Sequence, residues 1–179
     1  MKPRLNNLRS RTPFVAALAC GLVPPLAHGH VTLERTQAPA DSYYKAVLQV
    51  GHGCKGLPTL TVRVRIPDGV MSVKPQPKPG WTLTITRVKL AQPVDLGHGR
   101  TVTERPGEIA WSGGSLADEH FDEFRMVMKL PDRPGSTLYL PVVQECKDGV
   151  HRWIEIPDAG KPAAELKEPA PAIVLTPKP

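Results

Sequence analysis

The sequence predicts an all-β protein, an immunoglobulin-like β-sandwich of seven or eight strands, and three observations carry that expectation. Short runs of alternating apolar and polar residues recur along the chain, the period-2 signature of strands buried on one face. Pro, Gly or Asp-Gly punctuates the spaces between most runs, as turns between short antiparallel strands require. No window keeps a 3.6-residue apolar period for three turns, so helices are not expected to build the core.

The first segment is not part of that sandwich. MKPRLNNLRSR carries Lys2, Arg4, Arg9 and Arg11 with no acid, and the apolar run PFVAALACGLVPPLA follows. A cationic start and a short apolar core read as a secretory signal peptide over 1–29, too short for a membrane span. Ala27-His28-Gly29 offers small residues at −3 and −1, which favours cleavage before His30. Two other starts stay open: cleavage after Ala27, giving His28, or a lipoprotein route at Ala19-Cys20-Gly21 that acylates Cys20. The favoured mature chain begins His30-Val31-Thr32-Leu33-Glu34, is exported to the periplasm or cell envelope, and has no transmembrane segment.

Strands follow in order. Residues 45–50 (KAVLQV) end at Gly51, and residues 59–66 (TLTVRVRI) alternate strictly before Pro67-Asp68-Gly69. Residues 81–88 alternate again, and 107–111 precede Ser112-Gly113-Gly114. Runs 124–130 and 137–144 come next, the latter joined to 150–156 through Lys147-Asp148-Gly149, a hairpin signal. The sandwich is placed at 30–157. Beyond it the composition turns to Pro, Ala, Lys and Glu, which reads as a flexible Pro-rich tail over 158–179.

Charge excludes one class of partner. Four of the 23 Lys and Arg lie in 1–29, leaving 19 against 17 Asp and Glu, so the pI of 9.4 overstates the basicity of the mature chain. No clustered basic face with interleaved aromatics replaces it, and nucleic-acid binding loses its support.

Without Cys20, the exported chain keeps Cys54 and Cys146. An even pair in an oxidising compartment reads as a disulfide, closing a loop of about 90 residues worth roughly 4 kcal/mol in the chain-entropy account. The alternative is a two-thiolate metal site, which suits Cu(I) but needs reducing conditions.

Five blocks resemble a known family: HVTLE at the mature start, VGHGCKGLPTLTVRVRIPDGV, VKPQPKPGWTL, IAWSGGSLADEHFDEF and LYLPVVQECKDGVHRWIEIP. Together they make residues 30–157 similar to the YcnI-like family of exported bacterial proteins. The resemblance implies an immunoglobulin-like sandwich that binds one Cu(II) per chain and serves copper trafficking or homeostasis, with a copper importer or copper chaperone as partner. It also implies a site in which the N-terminal histidine chelates through its amine and a ring nitrogen, a carboxylate assists, and a tryptophan lies close. His30 carries over directly, and Trp153 is the best match for the tryptophan as a wall of the site. Relatives carry an acidic residue near Gly53 where this chain reads His52-Gly53-Cys54, so the second ligand is not given by resemblance.

Chemistry narrows it. A free amine and Nδ1 of one histidine close a six-membered chelate, and neutral nitrogen donors suit Cu(II). The amine must lose its proton, so affinity weakens on acidification. Glu34 shares a strand face with His30, but at ~3.3 Å per residue it lies about 13 Å away. A further ligand must come from another strand. Bridged cysteines hold their Cα atoms roughly 5.5 Å apart, which brings His52 towards Glu145. His52 is therefore the expected second metal ligand and Glu145 the assisting carboxylate.

Other residues carry less. The acids of Asp118-Glu119-His120-Phe121-Asp122-Glu123 alternate faces and read as a solvated rim. His98 reads as a loop residue, Trp81 and Trp111 as core, and Lys74 and Lys78 as parts of an extended edge; His151 receives no role. Ser112-Gly113-Gly114-Ser115 lacks the strand-to-helix context of a hydrolase elbow. Two further classes stand beside the copper-binding module: a copper-dependent oxygenase of the histidine-brace type, and an envelope interaction domain without metal. The few aromatics argue against a flat glycan-binding platform.

Overall fold

Alternation becomes two facing sheets in the computed structural model, which describes residues 30–158 and 165–178. The expected signal peptide, with its candidate cleavage positions and Cys20, lies outside the described residues. Twelve strands follow in order: β1 Thr32–Leu33, β2 Gln37–Pro39, β3 Tyr43–Val50, β4 Thr59–Arg65, β5 Met71–Pro75, β6 Thr82–Asp95, β7 Thr101–Leu116, β8 Asp122–Lys129, β9 Thr137–Tyr139, β10 Val142–Cys146, β11 Val150–Trp153 and β12 Ala172–Thr176. The first sheet has the order β1-β3-β8-β5 and the second β11-β10-β4-β7-β6, with a small third sheet β2-β12-β9.

The all-β class is as expected, and the strand count is higher than seven or eight. Each of the seven runs read from the sequence contains strand, but 137–144 is two strands. Pro141 has no N–H to give to a ladder, and the chain changes sheet there, from β9 in the small sheet to β10 in the five-stranded one.

Inner faces follow the period. On β3, Tyr44, Ala46, Leu48 and Val50 are buried while Tyr43 and Lys45 are exposed. They join Phe124, Met126 and Met128 of β8 and, from the facing sheet, Val62, Val64, Ile109, Trp111, Val142 and Trp153 in one apolar cluster. Trp111 is fully buried and donates its Nε1–H to the Gln76 carbonyl at 2.9 Å, which pins the proline-rich segment after β5 against the core. Trp81 packs edge-on against Phe124, with ring centroids 5.0 Å apart.

The flexible tail over 158–179 is corrected. Residues 172–176 form β12, parallel to β2 and antiparallel to β9, and Ile173 and Leu175 are both 0% exposed. The physical reason is local: AIVLT is a short apolar run, rich in β-formers, within a segment whose average composition is Pro, Ala, Lys and Glu. The domain therefore closes with a C-terminal strap, further tied by Lys178 to Asp41 at 2.6 Å.

No helix among the described residues is long and apolar enough to cross a membrane.

Candidate metal centre

The edges of the two large sheets, β1 and β11, approach each other, and His30, His52 and His151 collect there around Trp153. β1 pairs with β3 through Thr32↔Gln49 and Leu33↔Leu48; the same register continued puts His30 opposite Gly51, beside His52. Across from it, β11 pairs with β10 through Val142↔Trp153 and Gln144↔His151. Directly opposed residues share a face, so Trp153 and His151 both point inwards with buried Val142 and Gln144.

Trp153 is the floor. It is 3% exposed, and its Nε1–H donates to Gln144 Oε1 at 3.0 Å. Three imidazoles surround it. His30 meets it edge-on at 5.4 Å between ring centroids, His52 edge-on at 6.2 Å, and His151 stacks at 4.9 Å with 26° between planes. His52 and His151 are 5.6 Å apart.

The loop that carries His52 is held on every side. Cys54 is disulfide-bonded to Cys146 with Cα atoms 5.8 Å apart, in agreement with the expected bridge. Cys54 and Leu57 exchange backbone hydrogen bonds at 3.0 and 3.1 Å around a turn whose Lys55 and Gly56 have positive φ. Gly53 donates its N–H to Asp118 Oδ1 at 2.8 Å, and a Cβ there would stand 1.8 Å from the Leu57 carbonyl oxygen, so only glycine fits. The His52 carbonyl accepts from Gln144 Nε2 at 2.7 Å. His52 Nδ1 hydrogen-bonds the Gly53 carbonyl; a carbonyl only accepts, so Nδ1 is the donating nitrogen, and in the neutral ring that leaves Nε2 as the one with the lone pair.

Glu145 is the corrected residue. In β10, Gln144 faces inwards, so Glu145 faces out, and it accepts from Arg63 Nε at 2.9 Å and Nη2 at 3.3 Å. That pair raises the Arg63 pKa further and leaves Glu145 away from the histidines. Sequence reasoning placed it by adjacency to Cys146 and missed Gln144, whose amide joins Trp153, the His52 carbonyl and Thr59 Oγ1 (2.7 Å).

It also missed His151 and its partner. His151 Nδ1 lies 2.7 Å from Glu168 Oε1, and Glu168 Oε2 accepts the Arg152 N–H at 2.9 Å. Partial burial raises the Glu168 carboxyl, but these hydrogen bonds and the charges of His151 and Arg152 outweigh it, and its pKa is lowered. The common period of His151 and Trp153 was the available signal; Glu168 had none, because it comes from the strap.

The Asp118–Glu123 run is not a metal cluster. Asp118 clamps Gly53, Glu119 and His120 are exposed, Asp122 pairs with Lys78 at 2.6 Å and Glu123 with Arg125. His98 is exposed in its loop, at a positive φ. Depressions of about 480 and 720 Å³ open elsewhere, the first around Lys78 and Phe121 and the second between β5 and the β6–β7 hairpin. A metal ion needs donors rather than a cavity of that size, so the histidine cluster is the better candidate.

Among the described residues no three His, Cys, Asp or Glu side chains are arranged as a ready metal site. The donors fit copper in kind, and one pair of them fits it in spacing. They are imidazoles, which suit copper, and two imidazoles bound to one ion at ~2.0 Å put their centroids no more than about 6.4 Å apart, a limit that the His52–His151 separation of 5.6 Å meets.

Comparison with known proteins adds the fold and the family. No curated protein matches the chain. A solved structure described as an uncharacterised protein from Nocardia farcinica with an immunoglobulin-like fold superposes with a TM-score of 0.60 at 24% identity, covering 82% of this chain and 98% of that one. At that identity the likeness establishes the immunoglobulin-like architecture alone. Residues 30–175 match a family described as a domain of unknown function, DUF1775, a span that takes in the three histidines, Trp153, the disulfide and all but the last residue of β12, so the chain belongs to the DUF1775 family.

Proposed function

We propose that the protein is an exported Cu(II)-binding protein of the periplasm or cell envelope, holding one ion per chain for copper trafficking or homeostasis. The carrying observation is that His30 and His52, from separate segments of the chain, both lie edge-on to the buried Trp153. DUF1775 is the YcnI-like domain that the sequence blocks resemble, which supports the same reading.

His30 would supply Nδ1 and, once residues 1–29 are removed, the terminal amine. In the full-length chain that nitrogen is an amide, so the precursor lacks the chelate. His52 would supply Nε2. The floor beneath both rings is held by the Gln144–Trp153 hydrogen bond. Trp153 excludes water from one side and reports occupancy, because Cu(II) nearby quenches indole emission. Handing the ion to a copper importer or copper chaperone belongs to the same reading.

The test is competitive Cu(II) titration of the mature protein, read by Trp emission, beside His30→Ala and His52→Ala. Stoichiometric quenching weakened by each substitution supports the proposal; binding indifferent to both removes it.

A further inference from the structure

His30 and His52 do not account for the third imidazole against Trp153. We propose that His151 is a copper ligand through Nε2, and that Glu168 of the C-terminal strap is the residue that positions it; this rests on the copper reading above.

Position comes first. His151 lies on the inner face of β11, opposite the buried Gln144, and its ring is fixed in plane by stacking on Trp153 at 4.9 Å. A surface histidine has no such constraint.

Protonation comes second. Glu168 Oε1 sits 2.7 Å from Nδ1, and a carboxylate there selects the tautomer with the proton on Nδ1, leaving the Nε2 lone pair available. Metal-bound histidines are oriented by a carboxylate or carbonyl on the other ring nitrogen in this way. His52 has the same arrangement with the Gly53 carbonyl in the role of acceptor. The two rings, 5.6 Å apart, are thus both prepared to offer Nε2, within the span that one ion allows.

The carboxylate itself is held. Glu168 donates its backbone N–H to Glu155 Oε2 at 2.8 Å, Glu155 donates its N–H to the Glu168 carbonyl at 3.1 Å, and Ala170 donates to the Glu155 carbonyl at 2.8 Å. From there the strap runs into β12, anchored by buried Ile173 and Leu175. Glu168 is therefore delivered by the same segment that completes the core, and copper loading and strap docking must favour each other reciprocally.

Three imidazoles with the terminal amine would make an all-nitrogen donor set, of the kind that suits Cu(II). It also explains why the outward-facing Glu145 is not needed.

The experiment is pulsed EPR of the mature protein beginning at His30, loaded with one equivalent of Cu(II), beside His151→Ala and Glu168→Gln. Each bound imidazole contributes the signal of its remote nitrogen. The proposal expects three such imidazoles in the parent and two in His151→Ala. Glu168→Gln should keep three but shift the quadrupole coupling of one, the remote Nδ1 that faces residue 168, with affinity lower by about tenfold or more. Equal imidazole counts in the parent and His151→Ala, with unchanged affinity, would overturn the proposal while the copper reading stands. A parent that binds no Cu(II) would remove both. Should His151→Ala fail to fold, an unshifted coupling in Glu168→Gln is sufficient to overturn it.

Discussion

Replacing Gln144 by Leu should destabilise the protein by about 2–4 kcal/mol, although one residue along the chain Glu145→Gln should cost less than about 1 kcal/mol. Gln144 is 1% exposed and its amide makes three hydrogen bonds, to Trp153 Nε1 at 3.0 Å, the His52 carbonyl at 2.7 Å and Thr59 Oγ1 at 2.7 Å. Leucine removes all three and leaves the indole N–H and the His52 carbonyl in need of new partners, each at about 1–3 kcal/mol when buried. Added apolar burial offsets roughly 1 kcal/mol of that. Glu145, by contrast, pairs with Arg63 at side-chain exposures of 36% and 41%, where solvent screening reduces an ion pair to about 0–1 kcal/mol. In urea, with a slope of about 2 kcal/mol/M for a domain of this size, Gln144→Leu should lower the midpoint by roughly 1–2 M and Glu145→Gln by less than 0.5 M or so. Slopes should match the parent in both. An unchanged midpoint for Gln144→Leu, or a larger loss for Glu145→Gln, would refute the assignment of inner and outer faces at β10 and with it the floor beneath the three histidines.

Two further outcomes follow from the strap. Ile173→Ala should cost about 2–5 kcal/mol by urea unfolding, since a fully buried Ile is truncated, whereas a flexible tail would give no change. Asp41 is held at about pKa 2, from 3.8, by hydrogen bonds from Lys129 and Lys178. A carboxyl depressed on folding stabilises above its unfolded value and loses that contribution as pH falls through the folded one. Proteolytic protection of the strap should thus hold above about pH 4 and decline towards pH 2, and Asp41→Asn should remove that dependence.

Most of the fold was legible because it rests on period-2 alternation over runs of five or more residues, as in 59–66 and 124–130. What escaped was short or compositionally masked: β1 has two residues and β2 three, and β12 is a five-residue run, AIVLT, without polar alternation inside a Pro- and Lys-rich stretch. That His30, His52 and Trp153 lie together was expected from the terminus, the spacing and the resemblance. Glu145 was placed by its distance along the chain from a cysteine, whereas the pleat decides by parity, which puts Gln144 inside and Glu145 outside. The same parity pairs His151 with Trp153. Glu168 was not readable at all, since its approach to His151 depends on β12 docking between β2 and β9, a contact that no local pattern encodes.

The proposed Cu(II) chelate at a terminus created at His30 is tested by the Cu(II) affinity of the protein beginning at His30 against the same protein with one additional residue before it. The extension converts the terminal amine into an amide and leaves every described side chain in place, so affinity should fall by at least about tenfold, the loss of one nitrogen donor. Equal affinities would contradict the account, leaving His30 as an ordinary residue beside Trp153 rather than the anchor of a metal site.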